Sequence, residues 1–145
     1  NTYAYEVING KVTITGVNIT VSGDVIIPST LGGYPVTTIG NMAFYKCDLI
    51  TSITIPDSVT SIGYNAFAYC NSLASITIPD SVTSVGNDAF YGTAWYDNHS
   101  DGLIYIGKVA YSYKGTCPSK ITIKEGVLIS AKGERGRPLN EEEIG

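Results

Sequence analysis

Charge is scarce in this chain of 145 residues. Lys, Arg, Asp and Glu make up 15% of it, against about a quarter in an ordinary soluble domain. Basic side chains are scarcest: through Gly107 only Lys11 and Lys46 stand against eight acids. No basic stripe exists to meet a phosphate backbone, so nucleic acid is excluded as a partner. Histidine occurs once, at His99, which leaves little chemistry beyond one lone base. There is no Ser-x-x-Lys spacing of an acylating serine, and no carboxylate pair stands out as the acid and base of a glycosidase. The expectation is a protein that is not an enzyme and holds no cofactor. No apolar run reaches the roughly 20 residues needed to cross a bilayer, which argues against membrane insertion. Asn1 opens the chain without a signal-peptide apolar region, so for an exported protein the leader would have been removed before Asn1.

Cysteine is also sparse and odd in number: Cys47, Cys70 and Cys117. The first two are 23 residues apart at matching points of a repeat, at a stacking distance close to a strand spacing of about 4.8 Å. That spacing is compatible with a disulfide, but the preferred reading is two small buried hydrophobes in a packed column. What is abundant is apolar and hydroxylic. The apolar fraction is 43%, with 11 Tyr and many Ser and Thr, the texture of a β-rich extracellular protein. Too much apolar surface wants burial for most of the chain to be disordered. The length suits one core and is short for two.

The chain is organised around a duplication. Residues 50–69 read ITSITIPDSVTSIGYNAFAY, and residues 73–92 read LASITIPDSVTSVGNDAFYG. Ile53 recurs as Ile76, Pro56 as Pro79, Val59 as Val82 and Phe67 as Phe90, always 23 residues on. A unit this short cannot bury its own apolar face, so the copies must stack as coils of a solenoid. Within a coil, Ile53 and Ile55 should point inward and Ser52 and Thr54 outward, until Pro56 ends the ladder. Gly63 allows a tight corner, and Asn65 or Asp88 is placed to cap a short helical turn carrying Ala66-Phe67 or Ala89-Phe90. Phe44, Phe67 and Phe90 should then form one buried column. An earlier coil starts at Asp24, with Val25, Ile27 and Pro28 in the slots of Ile53, Ile55 and Pro56. It carries five extra residues around Gly32-Gly33-Tyr34-Pro35, expected as a bulging turn. Residues 3–17 alternate about Asn9-Gly10, the signature of a hairpin, which is expected to lie across the open end as a lid.

The pattern ITIPDSVTSIGYNAFAYC resembles the BspA-type leucine-rich repeats of bacterial and protist surface proteins. It has the proline after the strand, the Ile-Gly corner, Ala-Phe, and Cys three residues beyond Phe, at the 23-residue step. The resemblance covers roughly residues 24–93, and NGKVTITG and SGDVIIPSTLGGYPVTTIG look like the family's usual opening segment. It implies a β-rich α/β solenoid: a short right-handed leucine-rich-repeat superhelix with parallel strands, short helical turns and flanking β-hairpins. It implies adhesion or protein contact and carries no catalytic residue. Expected organisation is a single domain over 1–131. Within it, 1–23 is a hairpin cap, 24–93 the repeats, 94–119 a loop and hairpin insert, and 120–131 a partial repeat. Residues 132–145 are expected to be a disordered tail. The insert pairs residues 103–114 about Gly107-Lys108, with one face covered and the other wet, and Ile121 should resume the strand column beside Ile76.

Two function classes follow. The first is a non-catalytic recognition or adhesion module, secreted or on the bacterial surface, binding a protein or glycan outside the cell. The second is a structural spacer within a larger envelope protein. Binding surfaces anchor on aromatic side chains, so the candidate contact patch is Tyr69, Tyr91, Trp95 and Tyr96. The alternative is the hydroxyl ladder Ser52, Thr54, Ser75 and Thr77. Asp97-x-His99-x-Asp101-Gly102 matches the first half of a calcium loop but fails at its third and last positions, so no metal is expected. Oligomeric state is open.

Overall fold

The computed structural model describes residues 2–116 and 128–129. Alternating β-branched and hydroxylic residues favour pleated, half-buried strands, and each coil supplies two. The first coil gives β3 (Gly23–Ile26) and β5 (Tyr34–Ile39), the second β6 (Ile50–Thr54) and β7 (Ser61–Ile62), the third β8 (Ser75–Thr77) and β9 (Ser84–Val85). They form two parallel ladders, β3-β6-β8 and β5-β7-β9. Val25 lies beside Ile53 and Ile53 beside Ile76, as the 23-residue step requires. The protein is a β-solenoid of three coils, with parallel strands. Ile121, the expected next member, and the 132–145 tail lie outside the described residues, as does Cys117.

The N-terminal hairpin forms from β1 (Tyr3–Ile8) and β2 (Lys11–Val17). Its turn is built by Asn9 at φ 53° and Gly10 at φ 74°, both left-handed as a twist-matched turn demands. It closes this end by extending a ladder rather than as a separate lid. β2 pairs in parallel with β5, Val12 beside Val36 and Ile14 beside Ile39, so the hairpin prolongs one ladder by two strands. The reason is burial: Val12 and Ile14 are both 0% exposed, continuing the inner column, whereas Val7 stays exposed. The five extra residues of the first coil are likewise ordered as a hairpin. β4 (Thr30–Leu31) pairs antiparallel with β5, Leu31 opposite Tyr34, about left-handed Gly32 and Gly33.

The Ala-Phe corners are turns, not helices. Met42, Phe44 and Lys46 donate their N–H groups across to Tyr64, Ala66 and Ala68 of the next coil at 2.9, 2.7 and 2.9 Å. The intervening Ala43, Tyr45 and Cys47 donate back to Gly40, Met42 and Phe44 within their own coil at 3.2 Å. A helix needs every N–H for its own axis; here every second one ties coil to coil. The alternation places Met42, Lys46, Asn65, Tyr69 and Asp88 at positive φ. Asn65 and Asp88 are therefore left-handed corner residues rather than helix caps, a conformation those side chains tolerate best after glycine.

The phenylalanines stack as expected. Phe44 and Phe67 are 4.9 Å apart and Phe67 and Phe90 5.1 Å, at interplanar angles of 22° and 6°, all three fully buried. Each end of the column is closed by rings set at a steep angle to it. Tyr3 meets Phe44 at 62°, and Tyr111 meets Phe90 at 83° while its hydroxyl accepts from Phe90 N at 3.1 Å. Tyr111 comes from the second hairpin, β10 (Gly102–Ile106) and β11 (Val109–Lys114), joined in parallel by β12 (Leu128–Ile129). The expected alternation of covered and wet faces holds on β10, where Leu103 and Tyr105 are partly exposed and Ile104 and Ile106 buried, but not on β11, where Val109, Ala110, Tyr111 and Ser112 are all buried. A register shift between Ile104 and Tyr105 breaks the simple alternation on which that expectation rested.

Cys47 and Cys70 are free thiols, both buried, and Cys70 Sγ donates to Phe44 O at 3.0 Å. Burial raises both pKa values, that of Cys70 to about 12. Both thiols should resist alkylation in the native protein at mildly alkaline pH and react only on unfolding; labelling at the native rate of an exposed thiol would contradict this. A raised folded pKa means the unfolded chain ionises first. Stability should therefore fall as pH rises from about 9 toward 12, which chemical denaturation along a pH series would measure.

Candidate contact surface

Just beyond each phenylalanine the corner turns outward and presents a tyrosine. Tyr45 and Tyr91 follow Phe44 and Phe90 directly, but in the middle coil buried Ala68 takes that slot and Tyr69 comes one residue later. The rings therefore alternate in origin and cross at right angles. Tyr45 and Tyr69 are 5.8 Å apart at 89°, Tyr69 and Tyr91 5.7 Å at 90°. Gly92 stands where Tyr69 stands in the preceding coil, and a Cβ there would come within 2.8 Å of the Tyr69 ring. The row continues to Tyr96, 6.1 Å from Tyr91. An ammonium group lies near each end: Lys46 Nζ is 5.4 Å from the Tyr45 ring and Lys114 Nζ 5.6 Å from that of Tyr96.

Tyr96 is positioned by α1 (Ala94–Asp97), the one α-helix among the described residues. Thr93 occupies the slot of Cys47 and Cys70. Fully buried, it donates to Phe90 O at 2.7 Å and accepts from Tyr96 N at 3.0 Å, an N-cap. The sequence reading of 94–119 as a loop and hairpin insert missed this turn, although a threonine ahead of Ala-Trp-Tyr-Asp is its signal. At the other end Lys114 Nζ donates to the carbonyls of Tyr96, Asp97 and His99 at 3.2, 2.8 and 2.6 Å, a cation at a helix C-terminus. Carbonyls of the half-matched calcium loop thus already hold a cation, the lysine's own. His99 Nδ1 lies 2.7 Å from Trp95 O. No group of three or more His, Cys, Asp or Glu among the described residues is arranged to hold a metal.

Of the four residues named from sequence, Tyr69, Tyr91 and Tyr96 are brought together. Trp95 packs inward, its ring 5.4 Å from Phe90 and 4.5 Å from His99. Tyr45, at the matching or adjacent slot of the coil before, also belongs to the row. Ser52 and Ser75 are neighbours, as are Thr54 and Thr77, so the hydroxyl ladder is also continuous. Ser52 Oγ donates to Asp24 Oδ1 at 2.8 Å. A second hydroxyl face ties the coils together, Thr60 and Thr83 donating to Thr37 O and Thr60 O at 3.3 Å each. No helix among the described residues is long and apolar enough to cross a membrane.

Stacked coils of strand, proline stop, glycine corner and buried phenylalanine define a leucine-rich-repeat solenoid. A family profile described as BspA type leucine rich repeat region (6 copies) matches residues 35–130, and the chain belongs to that family. Its fold is similar to a leucine-rich repeat protein of T. pallidum, at TM-score 0.67 and 22% identity over 91% of this chain and 63% of that one. A leucine-rich repeat protein of Bacteroides ovatus gives 0.66 and 32%, over 91% and 36%. A leucine rich cell surface protein of Faecalibacterium prausnitzii gives 0.60 and 24%, over 91% and 49%. The chain thus spans less than two thirds of each of these proteins. Comparison with curated protein sequences found no match.

Proposed function

We propose that this chain is a non-catalytic recognition module, secreted or on a bacterial cell surface, that adheres to a protein or glycan outside the cell. The observation that carries the reading is the row Tyr45, Tyr69, Tyr91, Tyr96 along one edge of a rigid solenoid. Tyrosine offers large contact area for little lost entropy, and mutual edge-to-face packing holds these rings in place before a partner arrives. Membership of a repeat family of surface proteins, and the description of the F. prausnitzii neighbour as a cell surface protein, support the location. Trp95, packed on the end of the phenylalanine column, serves the patch by positioning Tyr96.

The test is a binding screen of the chain against extracellular matrix proteins and glycan arrays, repeated with Tyr69 and Tyr91 both changed to Ala. A partner of the wild-type chain should be lost or weakened at least about tenfold in a variant that still melts cooperatively. Undiminished binding would move the contact to the ladder of Ser52, Thr54, Ser75 and Thr77, a surface suited to weak multivalent contacts. The spacer reading rests on a different observation, the internal use of hydroxyls to join coils. A parent protein that adheres while this chain binds nothing would favour it.

A further inference from the structure

The two ladders end differently beside the N-terminal hairpin. Among the described residues, one runs past the first coil by two strands, β2 and then β1, while the other stops at β3. Two strand spacings are about 9.6 Å, so the solenoid ends in a step alongside β3. In a parallel ladder, the backbone groups of successive residues point to opposite sides of the strand. Gly23 N donates to Leu49 O and Ile27 N to Thr54 O, both at 3.0 Å, and Val25 sits between them opposite Ile53. Those three residues face β6. Asp24 and Ile26 therefore direct their N–H and C=O groups outward, over the step.

Side chains at the same place add to this. Ile26 is 75% exposed, the most exposed large hydrophobic residue described. Proteins guard open edges with charge, proline and short strands. Here the guards are Asp24, whose carboxylate is held by Ser52, and Pro28 beyond the strand.

We propose that the edge of β3 is a strand-addition site whose occupant is an extended segment of another protein, with a basic and an apolar residue two positions apart. Asp24 and Ile26 are two apart and present their side chains on one face. A strand bonded to their backbone places a cation opposite the carboxylate and an apolar side chain beside the isoleucine. A second copy of this chain fits less well. It would bring an acidic strand to an acidic one, in a protein of net charge −4, and like charges directly opposite are unfavourable.

The edge is testable with the peptide acetyl-Thr-Lys-Thr-Ile-Thr-amide and a control in which Glu replaces Lys. Amide hydrogen exchange reads the result. In the free protein Asp24 and Ile26 amides should exchange fast while Val25 and Ile27 are protected; the Lys peptide should slow the first two and the Glu peptide should not. Ile26→Pro removes an outward N–H and leaves the β3–β6 bonds intact, a place where strands accept proline. It should weaken the Lys peptide about tenfold. Asp24→Lys should reverse the preference toward the Glu peptide, a test that stands even where Ile26→Pro fails to fold. No slowing at Asp24 and Ile26 with either peptide would overturn the site, as would binding indifferent to Ile26→Pro. Self-association abolished by Ile26→Pro would overturn the occupant, showing a second copy in its place.

Discussion

Changing Phe67 to Ala should cost about 3–5 kcal/mol, as for other fully buried phenylalanines. Phe67 is the middle member of its column, with a ring stacked on each side at 4.9 and 5.1 Å and no exposure to solvent. The neighbours cannot close the void. Phe44 and Phe90 are held by corner N–H groups bonded across coils or to Tyr111, at 2.7 and 3.1 Å, so the backbone spacing is set independently of the ring. Whole-domain stability is typically about 5–15 kcal/mol, so this one truncation removes a large share. Urea denaturation followed by Trp95 fluorescence would measure it. A variant within about 1 kcal/mol of the parent would show that the column is not the core.

The second large effect should come from the smallest residue. Gly40, Gly63 and Gly86 stack at the corner, and there the coils touch backbone to backbone. A Cβ on Gly63 would strike Asn41 Oδ1, come within 2.6 Å of Asn41 N and within 2.8 Å of Gly40 C. Asn41 Oδ1 already accepts from Tyr64 N at 3.0 Å, so that bond would be displaced as well. Backbone cannot turn aside as a side chain can, and Gly63→Ala should reach about 3 kcal/mol, the upper part of the usual overpacking range. Gly33→Ala is the internal comparison. Nothing lies within 4 Å of its added Cβ, leaving only the left-handed φ of 86°, a cost of roughly 1 kcal/mol. Equal losses at Gly63 and Gly33 in the same denaturation experiment would show that coil contact is not what the corner glycine protects.

The corner glycine illustrates what a repeat makes legible. Ile-Gly recurs at 39–40 and 62–63 and Val-Gly at 85–86, and the interval alone implies that the three glycines stack. The strand columns and the phenylalanine column follow from the same register, and the two flanking hairpins from alternation about Asn9-Gly10 and Gly107-Lys108. The corner turns were misread because Asn65 and Asp88 suit a helix cap and a left-handed residue equally well. What separates the two is where the neighbouring N–H groups donate, and they donate to another coil. The N-terminal hairpin was recognised as a hairpin but misplaced, since alternation within two strands says nothing about which third strand they join. In the contact patch Tyr45, Tyr69 and Tyr91 could be read from their matching or adjacent slots, and Tyr96 as an aromatic just past the last repeat. How the rings pack could not, because the right-angle contacts that unite the row arise from Tyr69 standing one slot out of phase.

By itself, the sequence determined the 23-residue step, which residues of each coil face inward, and the leucine-rich-repeat family, because translation along a solenoid repeats one local environment. Tertiary structure decided the rest. It placed the hairpin as a continuation of a ladder, turned the expected helices into cross-coil turns, drew Trp95 inward and seated Lys114 on three carbonyls. It also left β3 as an open edge. The hairpin, Trp95 and Lys114 depend on hydrogen bonds or ring contacts between segments that are not related by the repeat, and such partners are chosen by proximity in space, which no interval in the chain encodes.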